Sequence, residues 1–323
     1  MLFQVFLFTL GLGALYLGAD WLIRGATSLA FRFGLRRMVV GLTVVALGTS
    51  MPEFLVNVIA TLWGDHGLAL GNIVGSNIAN IALILGMSAL IYPLAVRPLT
   101  LRKEYPLMMI VLAAFYAMAW DGRIGRLDGL LLVIGLIGFM VYVVVDARTE
   151  ASRTAALEER AEAENGPQPV EILPMWKKLM YLSGGVLALS LGARLMVMAA
   201  INIAEALQIN HVVIGLTVVA IGTSLPELAA SVISAVRREP DLSVGNILGS
   251  NLLNVLFVVG LVAVIRPLSV EPEALSIHFP VMMAFSLVLL PIAWTGYRIS
   301  RLEGLVLLAG FAGYMAYLAL PYL

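Results

Sequence analysis

Two stretches of this sequence repeat each other almost letter for letter. Residues 41–53 read GLTVVALGTSMPE, residues 215–227 read GLTVVAIGTSLPE, and eleven of the thirteen positions are identical at an offset of 174. A second pair keeps this offset, with GNIVGSNIAN at 71–80 and GNILGSNLLN at 245–254. RIGRLDG at 123–129 is echoed by RISRLEG at 298–304. The chain is therefore predicted to be two copies of one ancestral unit.

Composition excludes a water-soluble domain. Of 323 residues, 61% are hydrophobic and 12% are charged, with a mean hydropathy of +0.97, whereas soluble domains carry roughly a quarter charged residues. The chain has no cysteine, which excludes disulfides and thiolate chemistry, and its net charge of zero gives no reason to expect nucleic acid as a partner. Since a bilayer span takes about 20 apolar residues, the sequence predicts ten transmembrane segments, near 2–23, 38–62, 69–94, 105–120, 128–145, 176–200, 212–236, 243–265, 277–296 and 303–321.

The basic residues predict the orientation of these segments. Sixteen of the twenty lie in one set of alternating loops, and the other set holds only Arg123, Arg126, Arg194 and Arg266. Because loops rich in Lys and Arg stay in the cytoplasm, both termini are expected outside. We expect a multi-pass protein of a bacterial or archaeal plasma (inner) membrane, with the lipid bilayer around it and no obligatory protein partner.

The predicted fold is all-α, with ten transmembrane helices as two five-helix repeats of inverted topology. The repeats are residues 1–146 and 174–323, and a charged cytoplasmic linker at 147–173 joins them. Five is an odd number, so the second copy is inverted, an arrangement typical of secondary transporters. The linker is too short to bury a core, which favours a connector with some helix around 151–164 over a regulatory module.

Two acidic residues stand apart from the others. Glu53 is the only charge between Met38 and Gly64, and Glu227 is the only charge between Val212 and Val236. A charge at mid-bilayer costs about 2.5–3.5 kcal/mol on insertion scales, so such acids are usually functional. A protonated, hydrogen-bonded structural Glu is the alternative. Equivalent positions in two repeats make that alternative the weaker one.

Oxygen atoms surround these carboxylates in the sequence. Helical spacing places Thr49 and Ser50 on the face of Glu53, and Thr223 and Ser224 on that of Glu227. Pro52 and Pro226 lack an amide hydrogen, which predicts freed carbonyls around 46–49 and 220–223. The second motif adds Ser76, Asn80, Ser250 and Asn254. Interhelical hydrogen bonding is the alternative role for these four, and close helix packing is the favoured role of the motif's glycines.

This set of oxygens predicts a site for a hard cation. Ca²⁺ takes six to eight oxygen ligands, and Na⁺ has the same preference for oxygen. Zinc or copper would require imidazole or thiolate, and all three histidines, His66, His211 and His278, fall in loops or at span ends. We expect calcium and sodium ions as the partners of the site, and no cofactor.

The paired motifs, GTSMPE with GNIVGSNIAN and GTSLPE with GNILGSNLLN, resemble the two alpha repeats of the cation/calcium exchanger superfamily. Within it the chain resembles prokaryotic sodium/calcium exchangers over essentially its whole length. The resemblance implies calcium ligation by the Glu53 and Glu227 carboxylates and the Thr49 and Thr223 carbonyls. It implies sodium ligation by carbonyls of Ala46 and Ala220 and hydroxyls of Ser50, Ser76, Ser224 and Ser250, with Asn80 and Asn254 at the middle of the site.

One position departs from the resemblance. Residue 254 is Asn, where potassium-cotransporting relatives and some simpler exchangers carry Asp. Potassium dependence is therefore not expected, and the cavity has one negative charge fewer.

The expected function is secondary active antiport of sodium for calcium by alternating access, exporting calcium with the inward sodium gradient. A proton/calcium exchanger could use the same carboxylates and stays open as an alternative. A cation channel and a membrane scaffold also stay open, and flux measurements separate them. The spans contain no nucleophile–base–acid constellation, so enzymatic chemistry is not expected.

Overall fold

The computed structural model describes residues 2–64, 66–165, 174–207 and 220–320. Almost all of them are helical. Seven of the described helices are long and apolar enough to cross a membrane, or eight if Arg37–Thr49 and Met51–Trp63, bent by 43°, count as one broken span. The predicted all-α, multi-pass membrane fold is confirmed.

The first repeat contains nine α-helices and two short strands among the described residues. They are α1 Leu2–Arg32, α2 Arg37–Val40, α3 Ala46–Thr49, α4 Met51–Trp63, α5 His66–Ala79, α6 Gly86–Ile91, β1 Leu94–Ala95, α7 Pro98–Arg102, α8 Glu104–Met118, β2 Arg123–Ile124 and α9 Arg126–Asn165. Segments of π-helix at Gly41–Val45 and Asn80–Leu85 join α2 to α3 and α5 to α6, and a 3₁₀ turn at Ala119–Asp121 follows α8.

The second repeat follows the same plan. Its described elements are α10 Met175–Ala206, α11 Ala220–Gly222, α12 Leu225–Val236, α13 Pro240–Leu253, α14 Gly260–Ile265, β3 Leu268–Ser269, α15 Phe279–Trp294, β4 Arg298–Ile299 and α16 Arg301–Ala319. Segments of π-helix at Asn254–Val259 and Ala274–His278 precede α14 and α15, and a 3₁₀ turn at Thr295–Tyr297 follows α15.

Two predicted spans are shorter than a bilayer crossing in the described residues. The span predicted at 105–120 is the 15-residue helix α8, which is about 22 Å long at 1.5 Å per residue. The span predicted at 212–236 is described from Ala220 onward, so its first part, with His211 before it, lies outside the described residues.

Reciprocal contacts relate the two repeats. Gly11 lies against Gly192 and Gly18 lies against Gly185, which shows that α1 and α10 run antiparallel. The two contacts are equivalent, since Gly185 and Gly192 follow Gly11 and Gly18 at the offset of 174. β1 pairs with β4, and β3 pairs with β2, both antiparallel. Each contact is the image of the other at the repeat offset. Such exchange of partners is what an inverted repeat produces.

The two copies of the second motif form the centre of the molecule. In the spans His66–Ile91 and Pro240–Ile265, 78% and 83% of the most apolar 18-residue stretch is buried, against 22% in each of the five other spans that consist of one helix. The outer helices instead expose large apolar side chains such as Leu130, Ile134 and Ile137 of α9, as a lipid-facing surface does. Polar groups of the central spans are therefore shielded from lipid by protein.

Candidate functional site

The first motif interrupts a helix in each repeat. α3 ends at Thr49 and α4 begins at Met51, with Ser50 between them at φ −81°, ψ 3°; Ser224 takes the same position before α12 at φ −85°, ψ 5°. Pro52 and Pro226 lie in the first turn of the new helix, where a missing amide hydrogen costs least. Each glutamate therefore lies in the first turn of a helix, whose positive dipole end favours negative charge.

Both carboxylates are almost completely buried, at 1% exposure each. Glu227 Oε1 accepts a hydrogen bond of 3.2 Å from Ser50 Oγ of the other repeat. Its Oε2 and both carboxylate oxygens of Glu53 have no hydrogen-bond partner, and no ion pair within the described part of the chain involves either residue. Ion pairing with a base therefore does not explain these acids here.

The threonines of the first motif contact asparagines of the opposite repeat. Thr49 Oγ1 is 3.2 Å from Asn246 Oδ1, and Thr223 Oγ1 is 2.9 Å from Asn72 Oδ1. The two bonds are images of each other at the 174-residue offset. They fix each threonine to the central span of the other copy, so the site is assembled from both repeats.

The central asparagines hydrogen-bond across the repeats with only part of their amide groups. Asn80 Nδ2 donates to Asn251 Oδ1, and Asn254 Nδ2 donates to Asn77 Oδ1, each at 3.1 Å. The Oδ1 atoms of Asn80 and Asn254 remain buried without a partner. Interhelical bonding thus uses the amide donors and leaves the carbonyl oxygens available.

The predicted serines of the second motif and Ser224 also lie at the centre of the molecule. Ser224 Oγ lies 3.2 Å from Ser76 Oγ, and Ser250 Oγ is buried without a partner. The carbonyl of Ala46 is not freed as expected. It accepts the Ser50 amide at 2.9 Å and lies 3.3 Å from Thr49 Oγ1, because Pro52 removes only the donor to Gly48. A cation at the Ala46 carbonyl has to displace one of these bonds. Ala220 begins α11.

Six buried oxygens without a donor distinguish this cluster. They belong to Glu53 (two), Glu227, Asn80, Asn254 and Ser250. The described residues contain no group of three or more His, Cys, Asp or Glu that could hold a metal, so carboxylate, amide and hydroxyl oxygens have to share the coordination. Such a set suits a hard cation, and without one it leaves about two buried charges uncompensated, which is costly.

Sequence reasoning missed four residues of this network. Asn72 and Asn246 bond to the threonines, and Asn57 and Ser231 lie one turn after the glutamates. Asn72 and Asn246 could have been found, since both copies of the second motif contain them. The pair of residues 57 and 231 differs between the copies and gives no such signal.

α10 covers both copies of the first motif. A Cβ added at Gly48 would lie 2.6 Å from Val186 Cγ2, and one at Gly222 would lie 2.3 Å from Val197 Cγ2. The positions in α1 equivalent to these valines are Leu12 and Ile23. α1 instead packs along α12. In this conformation the α1–α10 pair is thus placed asymmetrically over two nearly symmetric motifs.

Two inverted repeats that join at a buried pair of carboxylates are typical of secondary transporters, whose ion sites lie at the interface between the repeats. Comparison with known proteins identifies the family. The chain belongs to the sodium/calcium exchanger protein family, which matches residues 3–145 and 177–320. It is therefore a member of a family of cation/calcium exchangers.

Relatives match nearly the whole chain. The putative antiporter CaxA of Alkalimonas amylolytica is 38% identical and covers 97% of this chain and 98% of its own. The sodium/calcium exchanger MaX1 of Methanosarcina acetivorans is 31% identical, with 96% of each chain covered. A solved structure of the sodium-calcium exchanger NCX_Mj, soaked with Na⁺ and Ca²⁺, superimposes with a TM-score of 0.82 at 30% identity over 98% of each chain.

Proposed function

We propose that this protein exchanges sodium for calcium across the membrane by alternating access at the site between the two repeats. The observation that carries this proposal is the carboxylate of Glu53, which is buried at 1% exposure with neither oxygen hydrogen-bonded. A buried carboxylate in that condition requires a proton or a cation. The exchanger family and the name of the relative MaX1 favour a cation.

The proposed calcium ligands are the carboxylates of Glu53 and Glu227 with the carbonyls of Thr49 and Thr223. The free oxygens of Asn80 and Asn254 and the hydroxyls of Ser50, Ser76, Ser224 and Ser250, with the carbonyls of Ala46 and Ala220, are proposed to complete the sites for calcium and sodium. Because residue 254 contributes a neutral amide, the full load neutralises only two carboxylates, and potassium is not required.

Strict exchange follows from the charge of the site. Without cations, two carboxylates in a protein interior lose more hydration than they regain from neighbours. One Ca²⁺ or several Na⁺ ions remove that penalty, so the protein changes between its two access conformations only when cations occupy the site. Outward movement of one ion is therefore coupled to inward movement of the other.

The moving part is proposed to be the α1–α10 pair. α10 contacts Gly48 and Gly222 through Val186 and Val197, and exchange of the roles of the two repeats would bring Leu12 and Ile23 of α1 to the same glycines. Sliding of one helix pair past the motifs thus gives two conformations that open on opposite sides, as inverted repeats allow.

The proposed direction is calcium export, since the sodium gradient of most cells points inward. We place the linker 147–173 in the cytoplasm and both termini outside, in the plasma membrane. The sixteen basic residues of one set of loops support this orientation.

The test is calcium uptake into proteoliposomes driven by a sodium gradient. We expect the wild type to take up calcium only with the gradient, and Glu53→Gln and Glu227→Gln to abolish uptake. Glu271→Gln, which neutralises an exposed glutamate, is the matched control and should retain uptake. Sodium-driven uptake in either buried variant contradicts the proposal.

The same vesicles separate the alternatives. Uptake that follows a pH gradient and ignores sodium identifies a proton/calcium exchanger. Calcium flux without any counter-ion identifies a channel. Addition of potassium should leave the rate unchanged.

A further inference from the structure

The second repeat ties its glutamate helix to the central span through one asparagine. Asn246 of α13 donates from Nδ2 to Ser231 Oγ at 2.9 Å and lies 3.4 Å from the carbonyl oxygen of Glu227. Its Oδ1 is the partner of Thr49 Oγ1. One buried side chain thus holds the first turn of α12, which contains Glu227, and the end of α3, which contains Thr49.

The equivalent tie in the first repeat is open. Asn72 corresponds to Asn246, and Asn57 to Ser231, at the offset of 174. Asn72 Nδ2 and Asn57 Oδ1 are a buried donor and a buried acceptor, and both lack a partner. Asn57 turns its own Nδ2 to the Glu53 carbonyl instead, at 2.7 Å. Leaving a buried donor and a buried acceptor unpaired raises the free energy of this conformation. A conformation in which Asn72 Nδ2 donates to Asn57 Oδ1 would avoid that cost.

The carboxylates differ in the same sense as the ties. Glu227, on the tied side, has Ser50 as a hydrogen-bond partner, and Glu53, on the open side, has none. The threonine bonds, by contrast, are made in both repeats, at 3.2 and 2.9 Å. The asymmetry of the site therefore lies at the position of Ser231 and Asn57 and in the serine contacts around the carboxylates, and not in the threonine bonds.

We propose that Asn246–Ser231 and Asn72–Asn57 are alternating braces, formed by positioning residues that fix one glutamate at a time. In this conformation the Asn246–Ser231 brace is closed and holds Glu227, while the Asn72–Asn57 brace is open and leaves Glu53 free to reorient. An inverted repeat reaches its opposite conformation by exchanging the arrangements of its two halves. The braces exchange in that step, so the first closes around Glu53 as the second opens.

This inference deepens the proposed function, on which it rests for the meaning of the two conformations. Its test, however, measures conformation and needs no transport. The chain contains no cysteine, so single cysteines report without background. We place one at Thr27 of α1 and, in a separate protein, one at the equivalent residue Ile201 of α10, and measure how fast a membrane-impermeant maleimide labels each in proteoliposomes.

Loss of either acceptor should shift the ratio of the two labelling rates, in opposite directions. Ser231→Ala removes the acceptor of the closed brace and disfavours the present conformation. Asn57→Ala removes the acceptor of the open brace and disfavours the opposite one; the bond from Asn57 Nδ2 to the Glu53 carbonyl lies within α4, so its loss should affect both conformations alike. Each should change the ratio by about fivefold, the effect of one net hydrogen bond on an equilibrium, and the double variant should return close to the wild-type ratio.

Two further variants keep the test decisive if Asn57→Ala does not fold. Ser231→Asn places in the second repeat the residue found at the equivalent position of the first. The introduced amide can donate to the Glu227 carbonyl, as Asn57 donates to that of Glu53, and would then not accept from Asn246. Its shift should therefore match that of Ser231→Ala. Ser243→Ala is the control, because this serine lies on the same helix as Asn246, is buried, and has no partner. It should leave the ratio unchanged.

The proposal of alternating braces is refuted if Ser231→Ala and Asn57→Ala shift the labelling ratio in the same direction. It is also refuted if their shifts are no larger than that of Ser243→Ala. Opposite shifts in a protein that fails to exchange sodium for calcium would support the alternating braces and contradict the proposed function. Sodium-driven calcium exchange with unchanged labelling ratios would support the proposed function and contradict the braces.

Discussion

An ion pair between Asp20 of α1 and Arg237 at the end of α12 should favour one of the two access conformations. α1 packs along α12, and Asp20 also pairs with Arg24 at 2.8 Å. The equivalent residues in the other halves are Arg194 and Trp63, which cannot form an ion pair. The contact can therefore form only while α1 lies on α12, and its loss should favour the other access conformation.

The magnitude follows from the exposure of the pair. The side chains of Asp20 and Arg237 are 14% and 32% exposed, so we take the upper end of the range for surface pairs, about 1 kcal/mol. This is about a fivefold change in the ratio of the two conformations. Apparent affinity scales with the fraction of binding-competent protein. Arg237→Gln should therefore lower the calcium concentration for half-saturation about fivefold at the face to which that other conformation opens and leave the opposite face nearly unchanged.

The assay is calcium half-saturation in vesicles of each orientation. Asp20→Asn should have the same effect, and the double variant should show no more than either single one, because both remove one interaction. Additive effects, or a change at the opposite face, would refute the reasoning. The exposed pair Arg123–Asp121, at 3.5 Å and 75% and 61% exposure, provides the control Arg123→Gln, which should alter neither face.

Three further outcomes are expected. Gly86→Ala should lower the melting temperature, because the new Cβ would lie 2.9 Å from a backbone oxygen of α16, whereas Gly138→Ala, at an exposed position with nothing described within 4 Å, should keep or slightly raise it. Arg36→Gln should destabilise the protein by about 3–5 kcal/mol, since it leaves the buried carboxylate of Glu104 without its ion-pair partner and leaves Asp146 paired with Lys103 alone; denaturant unfolding with Arg123→Gln as the reference measures this. Ser50→Ala removes the hydroxyl that donates to Glu227 Oε1 and should raise the calcium concentration for half-saturation about fivefold in the flux assay, the effect of about 1 kcal/mol; an unchanged half-saturation would mean that this bond does not orient the carboxylate.

The membrane fold could be predicted because lipid restricts the possibilities. Backbone groups in hydrocarbon have to bond internally, so long apolar runs can only be helices, and every predicted span is helical over most of its described residues. The ends were less predictable. The span predicted at 128–145 belongs to the 40-residue helix Arg126–Asn165, whose polar continuation has no hydropathy signal. The two-residue strands arise from contacts between distant parts of the chain, which no local pattern encodes.

The candidate site could be located from the sequence because its chemistry is exceptional for its surroundings. Charges inside apolar segments, at matched places in a duplication, indicated Glu53 and Glu227. What the sequence could not provide is the set of partners across the two repeats, because the hydrogen bonds that join the repeats at the site connect residues more than a hundred positions apart, such as Thr49 and Asn246. The difference between Asn57 and Ser231 is visible in the sequence. Only the structure shows that Ser231 is bonded to Asn246 while Asn57 Oδ1 and Asn72 Nδ2 have no partner.

The exchange of partners between the repeats gives this protein an internal reference for mutational tolerance. Contacts such as Gly11 with Gly192 occur in two copies, so a complete substitution scan should produce a profile that largely matches itself when shifted by 174 positions. Places where the two halves of that profile disagree would then mark, without any homologous sequence, the residues on which selection has made one side of the membrane differ from the other.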